Sequence, residues 1–440
     1  MVSHEKLLKD LEKTSLPDHI KRWMNCYIHG RQARVNFRNH TSRARNVRTG
    51  VPQGAVTSPI LFNFYLNNIP TPPAGVKLIQ YADDISVYTS GRSLDTMCNL
   101  INQYIDRLVD FLTERDLLVS PEKSTVTYFT PDTKEANITP NITIKGKSVK
   151  LEKKPKLLGV VYDTMFTFSH HVKDVVRKGK AKVNVLKALA GSNWGQDKEC
   201  LLMTYKAVAR STLEYACPVW SPMISDTNWS HLQTVQNQAL RTATGCLAMS
   251  NVDHLHQESQ VLPLRQHGQM LTKQFLAGCA QSDHPGHKHM DNPAPQRNLK
   301  KTLYEHKAEI STHYEAGLNY KQVLKKIHTE TVQECISTYA PNKVLQSRPP
   351  EINKDETNLP RNVRVELARL RSGYSRKLNS YLHKIDEQTV DECPSCAATP
   401  HDVKHIFNCP DNPTDLTVRD LWTNPRAVAT FLSLDDDDEV

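Results

Sequence analysis

Two adjacent aspartates, Asp83 and Asp84, stand between two short runs of strand-forming residues. Residues 76–79 and 85–89 alternate roughly between apolar and polar side chains, which predicts a β-hairpin whose tight turn carries both carboxylates. Neighbouring carboxylates repel each other, and a divalent cation such as Mg²⁺, which prefers oxygen ligands and binds phosphates, would relieve that repulsion. The alternative is a solvated acidic turn, because aspartate is common in turns.

A second set of potential ligands lies late in the chain, where Cys393, Cys396, His405 and Cys409 follow the spacing Cys-x2-Cys-x8-His-x3-Cys. Three thiolates and one imidazole suit a tetrahedral structural Zn²⁺ site. The alternative is a group of buried thiols beside an unrelated histidine, and His401 is a possible substitute for His405.

The bulk composition excludes several classes of protein. The 440 residues suffice for two or three domains, and 38% hydrophobic with 23% charged residues predicts a soluble chain. No apolar run approaches the roughly 18 residues that span a bilayer, and no signal peptide opens the sequence, so we expect an intracellular protein that does not bind membranes. Ten cysteines over this length do not suggest a disulfide framework, so most should be reduced.

Positive charge is concentrated in two places. Residues 1–50 hold eleven Lys or Arg against four Asp or Glu, and residues 173–187 carry a second basic run. Such runs suit a phosphate backbone. A solvated surface is the alternative in both places.

The elements that position these residues follow from periodicity and breakers. Gly50-Val51-Pro52-Gln53-Gly54 forms a loop, Ser58-Pro59 reads as an N-cap and first-turn proline, and an apolar helix over 60–68 should be buried. The other predicted elements are helices at 7–11, 20–27, 93–118, 168–189, 196–215, 226–244, 264–279, 300–339 and 362–381; strands at 33–37, 44–48, 125–129, 141–144, 149–151 and 156–161; linkers at 282–298 and 341–360; and an acidic tail at 435–439.

The order of these parts resembles the palm of a reverse transcriptase, in particular those of non-long-terminal-repeat (non-LTR, LINE-like) retrotransposons of the Jockey and I type. The resemblance rests on the Gly50–Gly54 loop, Tyr81-Ala82-Asp83-Asp84, Lys123 and Leu157-Leu158-Gly159, and it extends to residues 215–220 and 232–241. It implies an α+β fold: a partial polymerase palm, an antiparallel sheet with packed helices, followed by an α-helical thumb and a small C-terminal zinc-knuckle-like module.

The resemblance also implies roles. Asp83, supported by Asp84, would bind Mg²⁺ (or Mn²⁺) for two-metal nucleotidyl transfer. Gly50, Pro52, Gln53 and Gly54 would shape the pocket for nucleotide and template, with Lys123 near the departing pyrophosphate. Leu157-Leu158-Gly159 would belong to the primer grip and residues 173–187 to the thumb. The implied partners are an RNA template, a DNA primer or target, and deoxynucleoside triphosphates. Taken alone, Lys123 reads as surface charge.

One departure from the family pattern is expected to matter. Residues 1–8 fit the stretch that follows a metal-binding aspartate, but that aspartate is absent, as are the fingers. We therefore expect an N-terminally truncated enzyme that does not polymerise alone. The predicted domains are a partial palm at 1–165, a helical thumb at 166–282, a linker and helical connection at 283–360, and a basic helix with the Cys3His module and acidic tail at 361–440.

Two other functions remain open at this point. The first alternative is a non-enzymatic nucleic-acid-binding relic or domesticated retrotransposon protein. The second alternative is a gene product without a selected role. The basic helix at 362–381, beside the Cys3His module, is a candidate for holding RNA or target DNA. The resemblance implies a nuclear location, with a cytoplasmic ribonucleoprotein as an additional site.

Overall fold

The structure is a computed structural model that describes residues 1–191, 194–290 and 302–434. The chain divides into two compact units, the first holding residues 1–157 and 163–165 and the second holding 158–162 and the described part of 166–440. The acidic run at 435–439 and residues 291–298 of the expected linker lie outside the described residues. The four-part division drawn from the sequence stays a prediction.

The helices of the first unit are amphipathic segments that meet in one apolar cluster. Pro17 separates the first two, as predicted, and buried Leu7, Leu11, Ile28, Leu61 and Tyr65 bring their inner faces together with the third. The described helices here are α1 (His4–Glu12), α2 (Asp18–Ile28), α3 (Thr57–Tyr65) and α4 (Leu94–Glu114).

The strands of the first unit are short, and ten of the eleven described strands pair two by two within it. They are β1 (Gln32–Ala33), β2 (Asn36–Phe37), β3 (His40–Thr41), β4 (Arg45–Asn46), β5 (Val76–Tyr81), β6 (Asp84–Thr89), β7 (Thr125–Val126), β8 (Thr143–Ile144), β9 (Lys147–Ser148), β10 (Lys150–Leu151) and β11 (Lys156–Leu157). The pairs are antiparallel for β1 with β4, β2 with β3, β5 with β6 and β8 with β9, and parallel for β7 with β10.

The antiparallel sheet with packed helices that a palm implies appears, in the part of the first unit that the structure describes, only as separate two-stranded pairs. Most of the strands are two residues long, so each offers backbone groups to one neighbour alone. The mixture of helices and small sheets keeps the predicted α+β class.

Helix α4 organises this unit because it buries two faces. Ser93 caps it by accepting a hydrogen bond from the Thr96 N–H. One face packs Tyr104, Leu108 and Leu112 against apolar residues of β5 and β6. The other face packs Cys98 and Val109 against Ile142, Ile144 and Val149 in and beside the β8–β9 hairpin.

Arg115, just after α4, ties three helices together. Its Nη1 lies 2.7 Å from Asp10 Oδ2 on α1 and donates to the Tyr65 carbonyl oxygen at the end of α3. The hydroxyl of fully buried Tyr65 donates back to the Arg115 carbonyl oxygen. Asp10 is thus a structural ion-pair partner that links α1 to the end of α4.

The second unit is mainly helical. Its elements are β12 (Val160–Val161), α5 (Ser169–Lys187), α6 (Lys198–Thr204), α7 (Ser211–Leu213), α8 (Cys217–Trp220), α9 (Asp226–Thr244), α10 (Val252–Ser259), α11 (Leu264–Cys279), α12 (Thr302–Glu315), α13 (Tyr320–Thr338), α14 (Arg361–Ser372), α15 (Asn379–Ile385), α16 (Val403–Ile406), α17 (Asp420–Thr423) and α18 (Pro425–Phe431). A π-helical segment, Tyr205–Arg210, joins α6 to α7.

The best-defined helices of this unit begin and end where the sequence places them. Helix α9 is bounded by Asp226 and Thr244 as predicted, and Ser225 is its N-cap. Gly245 ends it with φ of 75°, a conformation that suits glycine. The segment from Tyr215 to Trp220 is a packed connection: Trp220 is buried, its Nε1 donates to the Tyr215 carbonyl oxygen, and burial raises the pKa of the Cys217 thiol to about 12.

The expectation of a linker over 341–360 is wrong. Asn342, Val344, Glu356 and Leu359 are buried. Val344 and Leu359 join an apolar cluster with residues of α14 and α18, and residues 354–358 form a 3₁₀ turn. The proline and polar content that suggested a linker marks a packed irregular segment here.

Candidate active site and metal centre

The Asp83–Asp84 pair lies at the tip of the β5–β6 hairpin. The register pairs Val76 with Thr89 and Tyr81 with Asp84, which leaves Ala82 and Asp83 as a two-residue turn. Ala82 has φ of 51°, a value that such short hairpin turns require. The predicted turn therefore contains Asp83, whereas Asp84 is the first residue of the returning strand.

Both carboxylates are exposed, while the hairpin beneath them is anchored. Leu78, Ile85 and Val87 on its inner face pack against the α4 cluster. Neither Asp83 nor Asp84 forms an ion pair within the described ranges, and no third metal-ligating side chain there forms a cluster with them. The tip thus presents two unneutralised carboxylates to solvent.

The glycine loop is held in place before α3. Gly50 and Gly54 both have φ of 84°, which requires glycine or a strained residue. The Gly50 carbonyl oxygen accepts from Arg31 Nη2 at 2.6 Å and lies 2.8 Å from His4 Nε2. Sequence reasoning missed these two positioning residues, because neither is near the loop in the chain and no local pattern marks them.

The start of α3 differs from the prediction. The helix begins at Thr57, so Ser58 lies inside the first turn, where its hydroxyl donates to the Pro52 carbonyl oxygen instead of capping the helix. Gln53 is exposed between these fixed points. The helix is also not fully buried: 66% of Ile60 is exposed, because α1, α2 and the β5–β6 hairpin cover only one side of it.

Two other residues predicted for the site lie in turns. Lys123 is exposed in the turn between α4 and β7, and no hydrogen bond or ion pair joins its side chain to Asp83 or Asp84 in the described part of the chain. Leu158 and Gly159 have positive φ, and the Leu158 carbonyl oxygen accepts from the Tyr215 hydroxyl at 3.0 Å. Gly159 lies so near Tyr215 that a β-carbon there would be 3.0 Å from Cε1 of the ring.

The basic stretch of the first unit forms an exposed surface on the β1–β4 and β2–β3 pairs. Arg34, Arg38, Arg43, Arg45 and Arg48 are all exposed, and the described acidic residues do not pair with any of them. Arg38 also lies over the ring of Phe37, which is 70% exposed. Cationic and aromatic groups together suit a nucleic-acid surface.

Helix α5 carries the second basic surface. Its sequence predicts an apolar stripe of Val172, Val175, Val176, Val183, Leu186 and Leu189, of which Val172, Val175, Val183 and Leu186 are buried, whereas Leu189 is exposed. The opposite face exposes Lys173, Arg177, Lys180, Lys182 and Lys187. Asp174 pairs with Arg177 and Lys178 at 2.7 Å each, so most of the positive charge is not neutralised within the helix.

The Cys3His residues meet in space. The four ligand atoms of Cys393, Cys396, His405 and Cys409 all lie within 4.8 Å of one another. Cys393 Sγ lies 3.8 Å from Cys409 Sγ, and Cys396 Sγ lies 3.3 Å from His405 Nε2. Two thiolates bound to one tetrahedral zinc at about 2.3 Å would be about 3.8 Å apart, so the donor set fits a metal of this kind.

Local backbone geometry prepares these ligands. Backbone N–H groups of Cys396 and Ser395 lower the pKa of the Cys393 thiol to about 6. His405 stands on α16, whose N-cap Asp402 accepts from the His405 N–H. His401, the possible substitute, is not in the cluster, because its Nδ1 accepts from the Asn379 N–H at 3.1 Å.

The basic helix predicted over 362–381 is wrong in both extent and exposure. Helix α14 ends at Ser372 before Gly373, whose φ is 73°, and α15 begins only at Asn379. Arg364 and Arg371 are buried: Arg364 pairs with Glu199, and Arg371 pairs with Glu258 and Glu356. Arginines that are themselves buried and paired with carboxylates do not offer a surface to RNA or DNA.

Comparison with known proteins bears on the first unit. Residues 1–162 match the family model described as Reverse transcriptase (RNA-dependent DNA polymerase). These residues are therefore similar to reverse transcriptases. The match contains the glycine loop, the Asp83–Asp84 hairpin and Lys123, so it confirms the resemblance that those motifs indicated.

Three named relatives are polymerases of mobile elements in Drosophila melanogaster. The chain is 28% identical to the probable RNA-directed DNA polymerase from transposon X-element, 26% identical to that from transposon BS, and 22% identical to the RNA-directed DNA polymerase from mobile element jockey. The matches cover 53%, 56% and 53% of this chain. They support the reverse transcriptase of non-LTR retrotransposons as its relative.

The chain spans only about a quarter of those relatives: 26% of the first and third and 28% of the second. In the part of the chain that the structure describes, every helix is too short or too polar to cross a membrane.

Proposed function

We propose that this chain carries a segment of an RNA-directed DNA polymerase of a non-LTR retrotransposon and acts on an RNA template, a DNA primer and deoxynucleoside triphosphates. One observation carries the proposal. The family match at 1–162 encloses the Asp83–Asp84 hairpin and the Gly50–Gly54 loop, and both adjoin α3. A carboxylate tip and a phosphate-accommodating glycine loop on one frame are the parts that nucleotidyl transfer needs.

The residues would divide the work as follows. Asp83, supported by Asp84, would supply carboxylate oxygens to Mg²⁺ or Mn²⁺; both side chains are exposed and unpaired within the described ranges. The bound ions would activate the primer hydroxyl and neutralise the triphosphate. Gly50, Pro52, Gln53 and Gly54 would contact the nascent base pair. Lys123 would stabilise charge on the leaving pyrophosphate.

We further propose that the chain, as it stands, binds template and primer but does not polymerise alone. Two metal ions with the usual coordination need more oxygen ligands than two carboxylates provide. Among the described residues, no third acidic side chain joins Asp83 and Asp84. Asp10, another early aspartate, is engaged by Arg115.

Primer extension on the purified chain with Mg²⁺ or Mn²⁺, beside Asp83→Ala, tests both statements. No synthesis together with tight binding of a primer–template agrees with the proposal. Robust synthesis that Asp83→Ala abolishes would establish the polymerase and refute the dependence on a further carboxylate. Synthesis that Asp83→Ala leaves unchanged, or failure to bind any primer–template, would contradict the assignment of the site.

A second candidate function is nucleic-acid binding without catalysis. The exposed arginines of the β1–β4 region and the lysines of α5 favour it, since both surfaces suit a phosphate backbone. Binding that persists in Asp83→Ala and Asp84→Ala, with no nucleotide or metal dependence, would favour this function over a polymerase role.

We propose that the Cys3His cluster holds a structural Zn²⁺. The sulfur–sulfur and sulfur–nitrogen distances and the low pKa of Cys393 support this metal. The similarity of residues 1–162 to reverse transcriptases also leads us to propose a nuclear location, with a cytoplasmic ribonucleoprotein as a second site, which imaging of a tagged chain would test.

A further inference from the structure

A second group of possible metal ligands lies between α12 and α13, far along the chain from the reverse transcriptase match. Glu309 and His313 stand four residues apart on α12, so they share one face of that helix. Glu330 on α13 faces them, and the three ligand atoms all lie within 4.8 Å of one another.

The histidine provides the observation that points to a ligand. His313 is 7% exposed, and its Nε2 has no hydrogen-bond partner among the described residues. Glu330 Oε2 lies 3.5 Å from that nitrogen, too far and too poorly aimed for a hydrogen bond. A buried polar nitrogen without a partner is costly, so the arrangement is incomplete as a simple ion pair.

The surrounding charges position the two carboxylates. Lys273 Nζ on α11 lies 2.7 Å from Glu309 Oε1, which orients this carboxylate and leaves its second oxygen available. Lys326 Nζ lies 3.8 Å from Glu330 Oε1, on the side of that carboxylate away from the oxygen nearest the histidine. Buried Ile310, Val323 and Ile327 fix the two helices against each other and against α11.

We propose that Glu309, His313 and Glu330 bind a divalent transition metal of the zinc class that joins α12 to α13. Imidazole nitrogen with carboxylate oxygens is a ligand set that Zn²⁺ accepts, with a fourth position open to water. Tetrahedral ligands at about 2.0–2.2 Å from one ion lie about 3.3–3.6 Å apart, so side-chain shifts of about 1 Å would bring the three ligand atoms around it. The ion gives the orphaned imidazole nitrogen a partner and neutralises the facing glutamates.

The test is the zinc content of the untagged full-length chain after dialysis against a zinc buffer, measured by elemental analysis. His313→Asn and Glu330→Gln should each lose one zinc equivalent per chain. Glu330 is the safer variant because 45% of its side chain is exposed. Matched controls on the same helix are Glu334→Gln and His328→Asn, whose side chains are exposed and which should lose none.

Equal zinc content in the wild type, His313→Asn and Glu330→Gln would overturn the proposal, as would an equal loss in the control variants. Any zinc bound by the Cys3His cluster contributes equally to the zinc content of all these variants, because the ligands of that cluster are unchanged. The readout is a difference of one equivalent, so it is independent of whether that cluster holds zinc.

Discussion

Arg371 donates from Nη1 to Glu258 Oε1 at 3.0 Å, and neither side chain exposes more than 1% of its surface to solvent. Arg371 also pairs with Glu356, and Lys198 Nζ lies 3.1 Å from Glu258 and 3.2 Å from Glu356. These four side chains form a buried ion-pair network that joins α6, α10, the 354–358 turn and α14. The stability of the second unit should therefore depend on the presence of all four side chains of this network.

We expect Arg371→Met to lower the free energy of unfolding by about 3–5 kcal/mol, because it leaves buried Glu258 and Glu356 with Lys198 and, for Glu356, the more distant Arg364 Nε at 3.9 Å. Urea denaturation followed by far-ultraviolet circular dichroism measures the loss. Arg376→Met removes an exposed arginine four residues beyond the end of α14 and should change stability by less than about 0.5 kcal/mol. Equal effects of the two substitutions would contradict the importance of the network.

Stability should also fall as the pH drops below neutral. Burial lowers the pKa of His254 below its ordinary value of 6.5, more than Glu258 and the Ala368 carbonyl raise it. As the pH falls through about 6.5, the unfolded chain binds a proton that the folded chain does not, so stability present above this pH is lost below it. His171 and His256, whose pKa values burial also lowers, act in the same direction.

Each such histidine contributes a slope of up to about 1.4 kcal/mol per pH unit, and His254→Gln should reduce the slope between pH 6.5 and 5 by up to that amount. Urea titrations at several pH values measure it, with His328→Gln as the exposed control. A second loss of stability at low pH is due to Glu258. Burial would raise the pKa of its carboxyl, but Arg371 and Lys198 outweigh burial and hold this pKa at about 2. The stability that Glu258 contributes is therefore lost as the pH falls from about 4.5 to 2. A slope unchanged in His254→Gln would show that this histidine is not buried neutral.

The basic face of α5 should control nucleic-acid binding. Lys180→Ala with Lys182→Ala removes two exposed charges, which should weaken primer–template binding and reduce the slope of log K against log salt by about 0.9 for each lost phosphate contact. Filter binding at several salt concentrations gives both quantities. Lys325→Ala, an exposed lysine on α13, serves as the control. An unchanged salt slope in the double variant would mean that α5 does not contact the backbone.

The Cys3His module should need its metal for local structure. Val403 and Phe407, which flank His405, are buried in the cluster that includes Trp422. Cys396→Ser should therefore release one zinc and raise amide hydrogen exchange at residues 403–409 without affecting the first unit. Cys26→Ser, at an exposed cysteine, should release none. Retained protection in the zinc-free protein would show that packing alone holds this module.

The features that could be predicted were those set by local chemistry. Helix α9 has its predicted bounds because Gly245 stops it, and the Asp83–Asp84 hairpin forms because alternating strands flank a two-residue turn. The Cys3His site was predictable because its ligands lie within 17 residues of sequence, Cys393 to Cys409. In each case the determining residues are neighbours along the chain.

What the sequence did not reveal depends on distant partners. The arginines of α14 looked like a nucleic-acid surface, because nothing near them announces that Glu258, 113 residues earlier, pairs with Arg371. Segment 341–360 looked like a linker, although Val344 and Leu359 are core residues. Glu309 and His313 have helical spacing, but their meeting with Glu330 depends on how α12 and α13 pack.

The double attachment of the Gly50 carbonyl oxygen to Arg31 and His4 has a consequence for recognition. A loop already locked in one shape has little freedom left to lose when a ligand arrives, so more of the contact energy appears as affinity. Removing these two contacts would not slow a chemical step directly. It would let the loop adopt more conformations, so that each binding event at the loop would cost more conformational entropy.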